Sequence, residues 1–296
     1  MIISRTPYRI SFIGGGTDYP VWFKEHGGAS IGVTIDKYCY ISLRYLPQFF
    51  EHKYRILWSK IELCQKIDDI SHPAVRECLR FMNIDKGVEI HHDGDLPART
   101  GIGSSSSFTV GLLKALYTLK GIQVPPSHLA SEAIYIEQEV LQEAVGSQDQ
   151  VFAAYGGFNR VDFNKDGTFK VTPIKGAKWL QKYLMLFYTG FQRTASQIAA
   201  EQIVLTPFKE KELSILQKWV DDAEIYIKAH AVQEFGQLLD AGWKLKRELS
   251  PKISNPYIDY LYTRAQEAGA IGGKILGAGG GGFLLLYALP EKQAEV

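Results

Sequence analysis

The sequence predicts an α+β fold with two domains. Its 296 residues exceed the usual length of one domain. Strand-like patterns dominate the first third of the chain and helical patterns follow. Runs of strands followed by runs of helices are typical of α+β proteins rather than of strict β–α alternation. We expect domains at residues 1–175 and 176–296, with a linker near Lys175–Lys178.

The composition excludes several classes of protein. Hydrophobic residues make up 46% and charged residues 22%, as in folded, water-soluble chains. A net charge of +1 without basic runs argues against nucleic acid as a partner. Arginines and a proline interrupt the apolar N-terminus, and no apolar run approaches membrane-spanning length, so we expect a cytoplasmic protein without a membrane partner. The cysteines contain no CxxC pair, which predicts reduced thiols at Cys39, Cys64 and Cys78.

The first third of the chain has the period of two that is typical of strands. Apolar residues alternate with small or polar ones at Ile31–Ile35, and the same period continues at Cys39–Tyr45. Tyr54–Trp58 and Val88–His92 have the length and composition of further short strands. A strand-rich N-terminal region is therefore predicted.

Helical spacing begins at Ser104–Lys120, and the sequence predicts a second helix that opens at Pro125. Strand patterns then return at Phe158–Phe163, Phe169–Ile174 and Tyr183–Tyr188. Steps of four, three and four predict a helix containing Leu216, Val220, Ala223 and Ile227. Asn255 and Pro256 suit the N-cap and first position of a helix that ends near Gly269.

The strongest functional signal is a glycine- and serine-rich loop, Pro97–Ser107, directly before a predicted helix. Glycines turn the backbone N–H groups inward, and a helix N-terminus adds partial positive charge. This is the chemistry of an anion cradle, and the alternative is a serine N-cap after a flexible loop. No Walker A lysine follows, which excludes an ordinary P-loop.

Two further glycine-rich segments flank this loop in the sequence. Gly277–Gly282 fits GxGxxG, but the apolar run Phe283–Tyr287 after it predicts a buried strand instead of the helix of a dinucleotide fold. Such a segment allows close approach to a ligand or another loop, or forms a glycine bulge. Near the N-terminus, a strand carrying Arg9 runs into a glycine turn with a carboxylate at Asp18, which alone also suits an Asx turn.

Together the three motifs resemble those of the GHMP kinases, the superfamily of galactokinase, homoserine kinase, mevalonate kinase and phosphomevalonate kinase. They are PYRISFIGGGTDYP, PARTGIGSSSS and KILGAGGGGF, with serines in the second motif where the family commonly has alanines. The resemblance covers nearly the whole chain. Its details, including GGGTD and SNPYIDYLYTRAQEAGAIGGKILGAGGGGF, are most similar to the branch that phosphorylates D-glycero-D-manno-heptose 7-phosphate for GDP-heptose synthesis.

The resemblance implies an N-terminal domain of the ribosomal protein S5 domain 2 type and a ferredoxin-like C-terminal domain, with ATP and sugar in the cleft between them. It implies ATP and Mg²⁺ as cofactors and the anomeric hydroxyl of the heptose phosphate as acceptor. Family members continue with more C-terminal structure where this chain stops soon after Leu289, which predicts a truncated C-terminal domain. The oligomeric state is left open, with a homodimer as one form.

The family motifs also imply roles for individual residues. Asp149 would accept or orient the proton of the sugar hydroxyl, and Arg9 would keep it ionised and steady the transferring phosphoryl group. Glu137 and Ser105, with Ser104 as the alternative, would ligate Mg²⁺. The expected ATP-binding residues are Gly101, Ile102, Gly103, Ser104, Ser105 and Ser106. The expected substrate-binding residues are Gly16, Thr17, Asp18, Arg193, Gly279 and Gly280.

From the residues alone, two of these assignments have simpler alternatives. Glu137 sits on a predicted helix, and the helix pattern alone favours a solvated position for it. Arg193, at a predicted helix start, would suit a substrate phosphate, although it would also suit an ordinary surface. Only the resemblance favours the functional assignment of Glu137.

Three other functions share this fold. A fucokinase- or galactokinase-like enzyme would use a different sugar, and a non-catalytic sugar-sensing module would bind one without reacting. The presence of Asp149, Arg9 and Glu137 argues against that module. A lyase similar to mevalonate diphosphate decarboxylase is disfavoured by the sugar-type GGGTD motif.

Overall fold

The computed structural model describes residues 1–191 and 195–296, which form two β-sheets with helices packed on them. The strands are β1 (Ile2–Ile13), β2 (Gly28–Tyr45), β3 (Tyr54–Leu57), β4 (Ile61–Cys64), β5 (Val88–Gly94), β6 (Phe158–Phe163), β7 (Phe169–Pro173), β8 (Leu184–Tyr188), β9 (Ala270–Ile275) and β10 (Phe283–Ala288). The helices are α1 (Pro20–His26), α2 (Pro73–Phe81), α3 (Ser104–Leu119), α4 (Pro126–Tyr135), α5 (Gln148–Tyr155), α6 (Ala195–Leu205), α7 (Glu210–Ala229), α8 (Val232–Arg247) and α9 (Pro256–Glu267). The mixture confirms the predicted α+β class.

The first sheet is built around the long strand β2. Its order is β4-β3-β5-β2-β6-β7, and β1 also pairs with β2. One part of β2, Gly28–Val33, pairs with β6, whereas Cys39–Tyr45 pairs with β5. The continued period of two therefore corresponds to one strand, since β1 pairs with β2 across both parts. The same pairing places Arg9 opposite Thr34.

Helix α3 packs on β1 and β2, and most of its residues are buried, including Phe108, Leu112 and Ala115 of the predicted apolar spacing. It begins after Gly103, whose φ of +75° lies in the left-handed region. Helix α4 passes directly into a π-helical segment, Ile136–Val140, which contains the fully buried Glu137. Single-turn π segments of this kind are frequent at functional sites.

The second sheet has the antiparallel order β8-β10-β9. Its central strand β10 is buried along its whole length, which confirms the strand predicted after the C-terminal glycines. Helix α9 begins as predicted, because the Asn255 side chain accepts the backbone N–H groups of Tyr257 and Ile258 at 3.0 Å each. Helix α7 covers the predicted apolar stripe of residues from Leu216 to Ile227.

The predicted domain boundary falls between the two sheets. Strand β7 ends at Pro173 and β8 begins at Leu184. Helix α7, from the later part of the chain, nevertheless packs against β1 and β2. The boundary at residues 175 and 176 therefore stays a prediction.

The sequence also predicts reduced cysteines and no apolar run long enough to span a membrane. All three cysteines are buried free thiols, as predicted. Across residues 1–191 and 195–296, no helix combines the length and the apolar character needed to cross a bilayer.

Candidate active site

A cavity of about 180 Å³ brings the three glycine-rich segments together. Its lining includes Arg9, Gly16, Asp18, Gly101, Gly103, Ser104, Ser105, Ser106, Asp149, Lys246, Lys274 and Gly277. A larger cavity of about 680 Å³ lies between the two sheets, but its walls are mainly apolar and hold none of the charged residues of the motifs. The smaller cavity is therefore the candidate active site.

Arg9 and Asp149 form a two-bonded ion pair at the centre of this cavity. Arg9 Nε donates to Asp149 Oδ1 at 2.8 Å, and Nη2 donates to Oδ2 at 2.6 Å. The third guanidinium nitrogen, Nη1, donates to the carbonyl oxygen of Gly101 at 2.6 Å. A guanidinium fork matches a carboxylate in this way and fixes its orientation. Arg9 thus ties β1 to the glycine- and serine-rich segment Pro97–Ser107, the predicted phosphate loop, and to the first turn of α5.

The loop from Gly101 to Gly103 leads into the N-terminus of α3, where the first N–H groups have no partner within the helix. These groups and the helix dipole favour an anion, as the sequence predicts. Gly101 lies directly against the backbone of Leu276 and Gly277, so closely that a Cβ on Gly101 would overlap Leu276. The C-terminal glycines therefore allow close approach to another loop, one of the alternatives left open by the sequence.

Asp18 is a buried carboxylate opposite the ion pair, only 2% exposed. Its Oδ1 accepts the N–H of Gly16 at 2.9 Å, and its Oδ2 accepts the N–H of Gln148 at 3.3 Å. Burial raises the pKa of Asp18, and the nearby negative charge of Asp149 raises it further. Hydrogen bonds from backbone N–H groups partly offset this rise. The arrangement suits a carboxylate that receives hydroxyl donors from a ligand.

Glu137 lies behind the phosphate loop and is fully buried. Its Oε2 accepts Ser106 Oγ at 2.9 Å and Gln150 Nε2 at 2.5 Å. Burial raises the pKa of Glu137 to about 7, although the hydrogen bonds oppose that rise. Ser106, rather than the predicted Ser105, is the serine that contacts Glu137, because Ser105 points to the exposed side of α3.

The residues at Glu137 fit a bound magnesium ion. Glu137 Oε1 has no hydrogen-bond partner among the described residues, although it is buried. A buried carboxylate oxygen without a partner is costly, and Mg²⁺ prefers such hard oxygen ligands. The described residues contain no cluster of three or more His, Cys, Asp or Glu side chains, so phosphate and water oxygens would have to complete the shell.

Two lysines in the cavity were not predicted. Lys246, near the end of α8, and Lys274, on β9, are each 6% exposed. Lys274 Nζ donates to the carbonyl oxygen of Phe12 at 2.8 Å, and Lys246 Nζ donates to that of Gly277. Lys246 lies seven residues after Leu239, on the same buried face of α8. This helical spacing is the signal in the sequence that Lys246 is buried.

Three residues predicted to bind substrate, Thr17, Gly279 and Gly280, do not line the cavity. Thr17 is fully buried, and its hydroxyl bonds to backbone groups of Gly14 and Ala29, so it fixes the turn instead of binding substrate. Gly279 and Gly280 pack against Ile253, and Gly277 and Ala278 line the cavity in their place.

Ile102 and Arg193 are two further residues that the sequence predicts for the site. Ile102 contributes only its backbone, because its side chain is fully buried while its carbonyl oxygen accepts the N–H of Arg9 at 3.0 Å. Arg193 lies outside the described residues. The remaining predicted residues line the cavity or, for Glu137, lie behind it.

Comparison with known proteins matches both parts of the chain to one family. The GHMP kinases N terminal domain matches residues 70–157, and the GHMP kinases C terminal domain matches residues 223–296. D-glycero-alpha-D-manno-heptose 7-phosphate kinase of Campylobacter jejuni is 28% identical over 308 residues, which cover 99% of this chain and 91% of that protein. A galactokinase of Pyrococcus furiosus is also similar, with 26% identity over all of this chain and 91% of that protein.

Solved structures show the same fold. A D-glycero-D-manno-heptose 1-phosphate kinase from Bacteroides thetaiotaomicron superimposes with a TM-score of 0.77 at 24% identity, covering 100% of this chain and 90% of that one. A phosphomevalonate kinase of Streptococcus pneumoniae, in complex with phosphomevalonate and AMPPNP, gives a TM-score of 0.79 at 15% identity, covering 100% and 94%. At these identities the likeness bears on the fold alone.

Proposed function

The chain belongs to the GHMP kinase family and is a sugar kinase, and we propose that it transfers the γ-phosphoryl group of ATP to the anomeric hydroxyl of D-glycero-D-manno-heptose 7-phosphate. GHMP kinases use ATP as phosphate donor, and the family assignment rests on both domain matches. The heptose phosphate is proposed because the Campylobacter relative of that name matches along 99% of this chain.

One observation supports the reaction most directly: Asp149 and the phosphate loop face one cavity and are joined through Arg9. Phosphoryl transfer depends mainly on positioning and on charge stabilisation, with one group to take the proton of the nucleophile. The phosphate loop would hold the donor phosphates, while Asp18 would hold sugar hydroxyls. Among the described residues, each Asp149 oxygen accepts one hydrogen bond and keeps a second lone pair, so Asp149 would accept the proton of the attacking hydroxyl.

Arg9 has two roles in this proposal. Its ion pair holds the Asp149 carboxylate in one orientation toward the acceptor. Its bond to the Gly101 carbonyl places positive charge beside the loop that would hold the phosphates. This arrangement argues against a non-catalytic sugar-sensing module, which would have no use for a positioned acceptor of protons.

Magnesium would be held by Glu137 and Ser106, together with phosphate oxygens. When bound, the ion neutralises phosphate charge and orients the transferred group. The protein itself would supply the Glu137 carboxylate and the Ser106 hydroxyl, which already contact each other. Glu137 Oε1 has no hydrogen-bond partner among the described residues.

We expect Glu137→Gln to raise the Mg²⁺ concentration needed for half-maximal activity by about tenfold, as for loss of one charge-assisted contact of about 1.5 kcal/mol. The measurement is a magnesium titration at saturating ATP and sugar. Glu139→Gln is the matched control, because Glu139 is exposed only two residues away. Identical titrations for the Glu137 variant and wild type would remove Glu137 from the metal site.

The substrate assignment is tested by ADP release with a panel of acceptors at saturating ATP. We expect the highest kcat/KM with D-glycero-D-manno-heptose 7-phosphate, compared with the unphosphorylated heptose, fucose, galactose, mevalonate and homoserine. Arg193, proposed to contact the 7-phosphate, would account for a preference over the unphosphorylated sugar. Equal kcat/KM for both heptoses, or a higher value for fucose or galactose, would contradict the heptose phosphate and leave a different sugar kinase.

A further inference from the structure

Lys246 is a buried cation that no motif of the family match assigns. Its ammonium lines the cavity, and among the described residues its one hydrogen-bond acceptor is the Gly277 carbonyl oxygen. Transfer of an ammonium from water into a protein is costly unless it is paired or neutralised. An ammonium has three N–H donors, and Gly277 accepts one of them. The other two are left for a ligand.

Lys246 lies close both to the phosphate loop and to the carboxylates of the cavity. Its acceptor Gly277 packs on Gly101 of the phosphate loop, so closely that a Cβ on Gly277 would overlap the Gly101 backbone. Its ammonium is also near enough to Asp18 and Asp149 to interact with their charges. Lys246 thus borders both the phosphate loop and the carboxylates that would face the acceptor.

In an in-line transfer, the charged phosphoryl group would move from ATP to the sugar hydroxyl at this border between the phosphate loop and the carboxylates. Arg9 lies on the same border, but two of its nitrogens are bonded to Asp149 and its third to Gly101. The Arg9 guanidinium is therefore largely saturated by protein acceptors, whereas the Lys246 ammonium is not. A second cation with unused donors is what the equatorial oxygens of a transferring phosphoryl group require.

We propose that Lys246 is a catalytic residue that binds the phosphoryl group during its transfer. This inference rests on the proposed kinase reaction. The acceptor oxygen forms a bond to the γ-phosphorus while the bond from that phosphorus to the β–γ bridging oxygen breaks, and its electron pair leaves with ADP. The hydroxyl proton passes to Asp149, and Lys246 keeps all its protons throughout.

The burial of Lys246 gives the proposal a pH signature. Burial lowers the pKa of Lys246 to about 8, as does the positive charge of Arg9 on β1, while Asp18 after β1 and Asp149 on α5 oppose the fall. Lys274 on β9 is a further positive neighbour. The charged form is present below that pKa and is lost as pH rises through it, so kcat/KM should decline above about pH 8.

The first test compares Lys246→Met with Lys246→Arg. We expect Lys246→Met to lower kcat by about 10²- to 10³-fold, as for loss of one preorganised donor, with less than a threefold change in KM for the sugar. Lys246→Arg should recover part of kcat and lose the decline above pH 8, because arginine stays charged. Lys244→Met is the control, since Lys244 is exposed on the same helix and paired with Asp240.

The second test measures binding and needs no turnover. Wild-type protein with ADP and Mg²⁺ should bind aluminium fluoride, a mimic of the transferring phosphoryl group, at least tenfold more tightly than Lys246→Met, while both bind ADP equally. Equal fluoride affinity, or a pH decline retained in Lys246→Arg, would overturn the proposal. A wild-type enzyme that ignores heptose 7-phosphate would instead overturn the substrate assignment, because the fluoride measurement uses no acceptor.

Discussion

Asp149→Asn should lower kcat by about 10²- to 10⁴-fold, the range for loss of general-base assistance. The amide cannot take the proton of the acceptor hydroxyl, and its NH₂ group would face an Arg9 donor that the carboxylate now satisfies at 2.6 Å. ATP affinity should stay within about twofold of wild type, because the proposed phosphate site is the loop and the N-terminus of α3.

The matched control for this variant is Asp68→Asn. Asp68 is also paired with an arginine, Arg80, but it is exposed and outside the cavity. Loss of that exposed surface pair should leave kcat unchanged and have little effect on stability. If Asp149→Asn kept turnover within about tenfold of wild type, Asp149 would not be the group that accepts the proton.

Gly146→Ala should raise KM for the sugar by about tenfold or more while leaving KM for ATP nearly unchanged. A Cβ at Gly146 would overlap Asp18 Oδ2, so the carboxylate has to leave its place between the N–H groups of Gly16 and Gln148. Loss of one charge-assisted hydrogen bond to the sugar costs about 1.5 to 3 kcal/mol. Sugar KM and ATP KM are measured by initial rates.

Gly167→Ala separates this effect from a general loss of stability. Gly167 lies in the turn between β6 and β7, with open space where a Cβ would be but a φ of +88°. Alanine there should lower the melting temperature without changing either KM. If the sugar KM of Gly146→Ala matched wild type in a folded protein, the Asp18 carboxylate would not be a substrate ligand.

The architecture was largely predictable because it depends on periodic patterns. Alternation along β2 and the spacing in α3 are set by burial of one face or of the whole helix, and both patterns occur in the sequence. The N-cap at Asn255 was equally readable, because capping is a local interaction. The π-helical turn at Glu137 was not predicted, since the neighbouring helical pattern gives no sign of it.

The candidate site was predictable where a family motif includes the residue. Arg9 and Asp149 are 140 residues apart, and only the family resemblance brought them together. Thr17 and the glycines at 279 and 280 were misplaced because a motif does not show which of its residues support the turn. Lys246 was missed because a lysine among charged neighbours suggests a solvated helix face, and its burial depends on packing between distant elements.

The central claim, phosphorylation of heptose 7-phosphate on its anomeric hydroxyl, is tested most directly by the structure of the product. Purified protein is incubated with ATP, Mg²⁺ and D-glycero-D-manno-heptose 7-phosphate, and the mixture is followed by ³¹P NMR. We predict a second sugar phosphorus signal coupled to the anomeric proton, growing in step with ADP while the 7-phosphate signal remains. ADP formation without that coupling, or no transfer at all to this sugar, would contradict the claim.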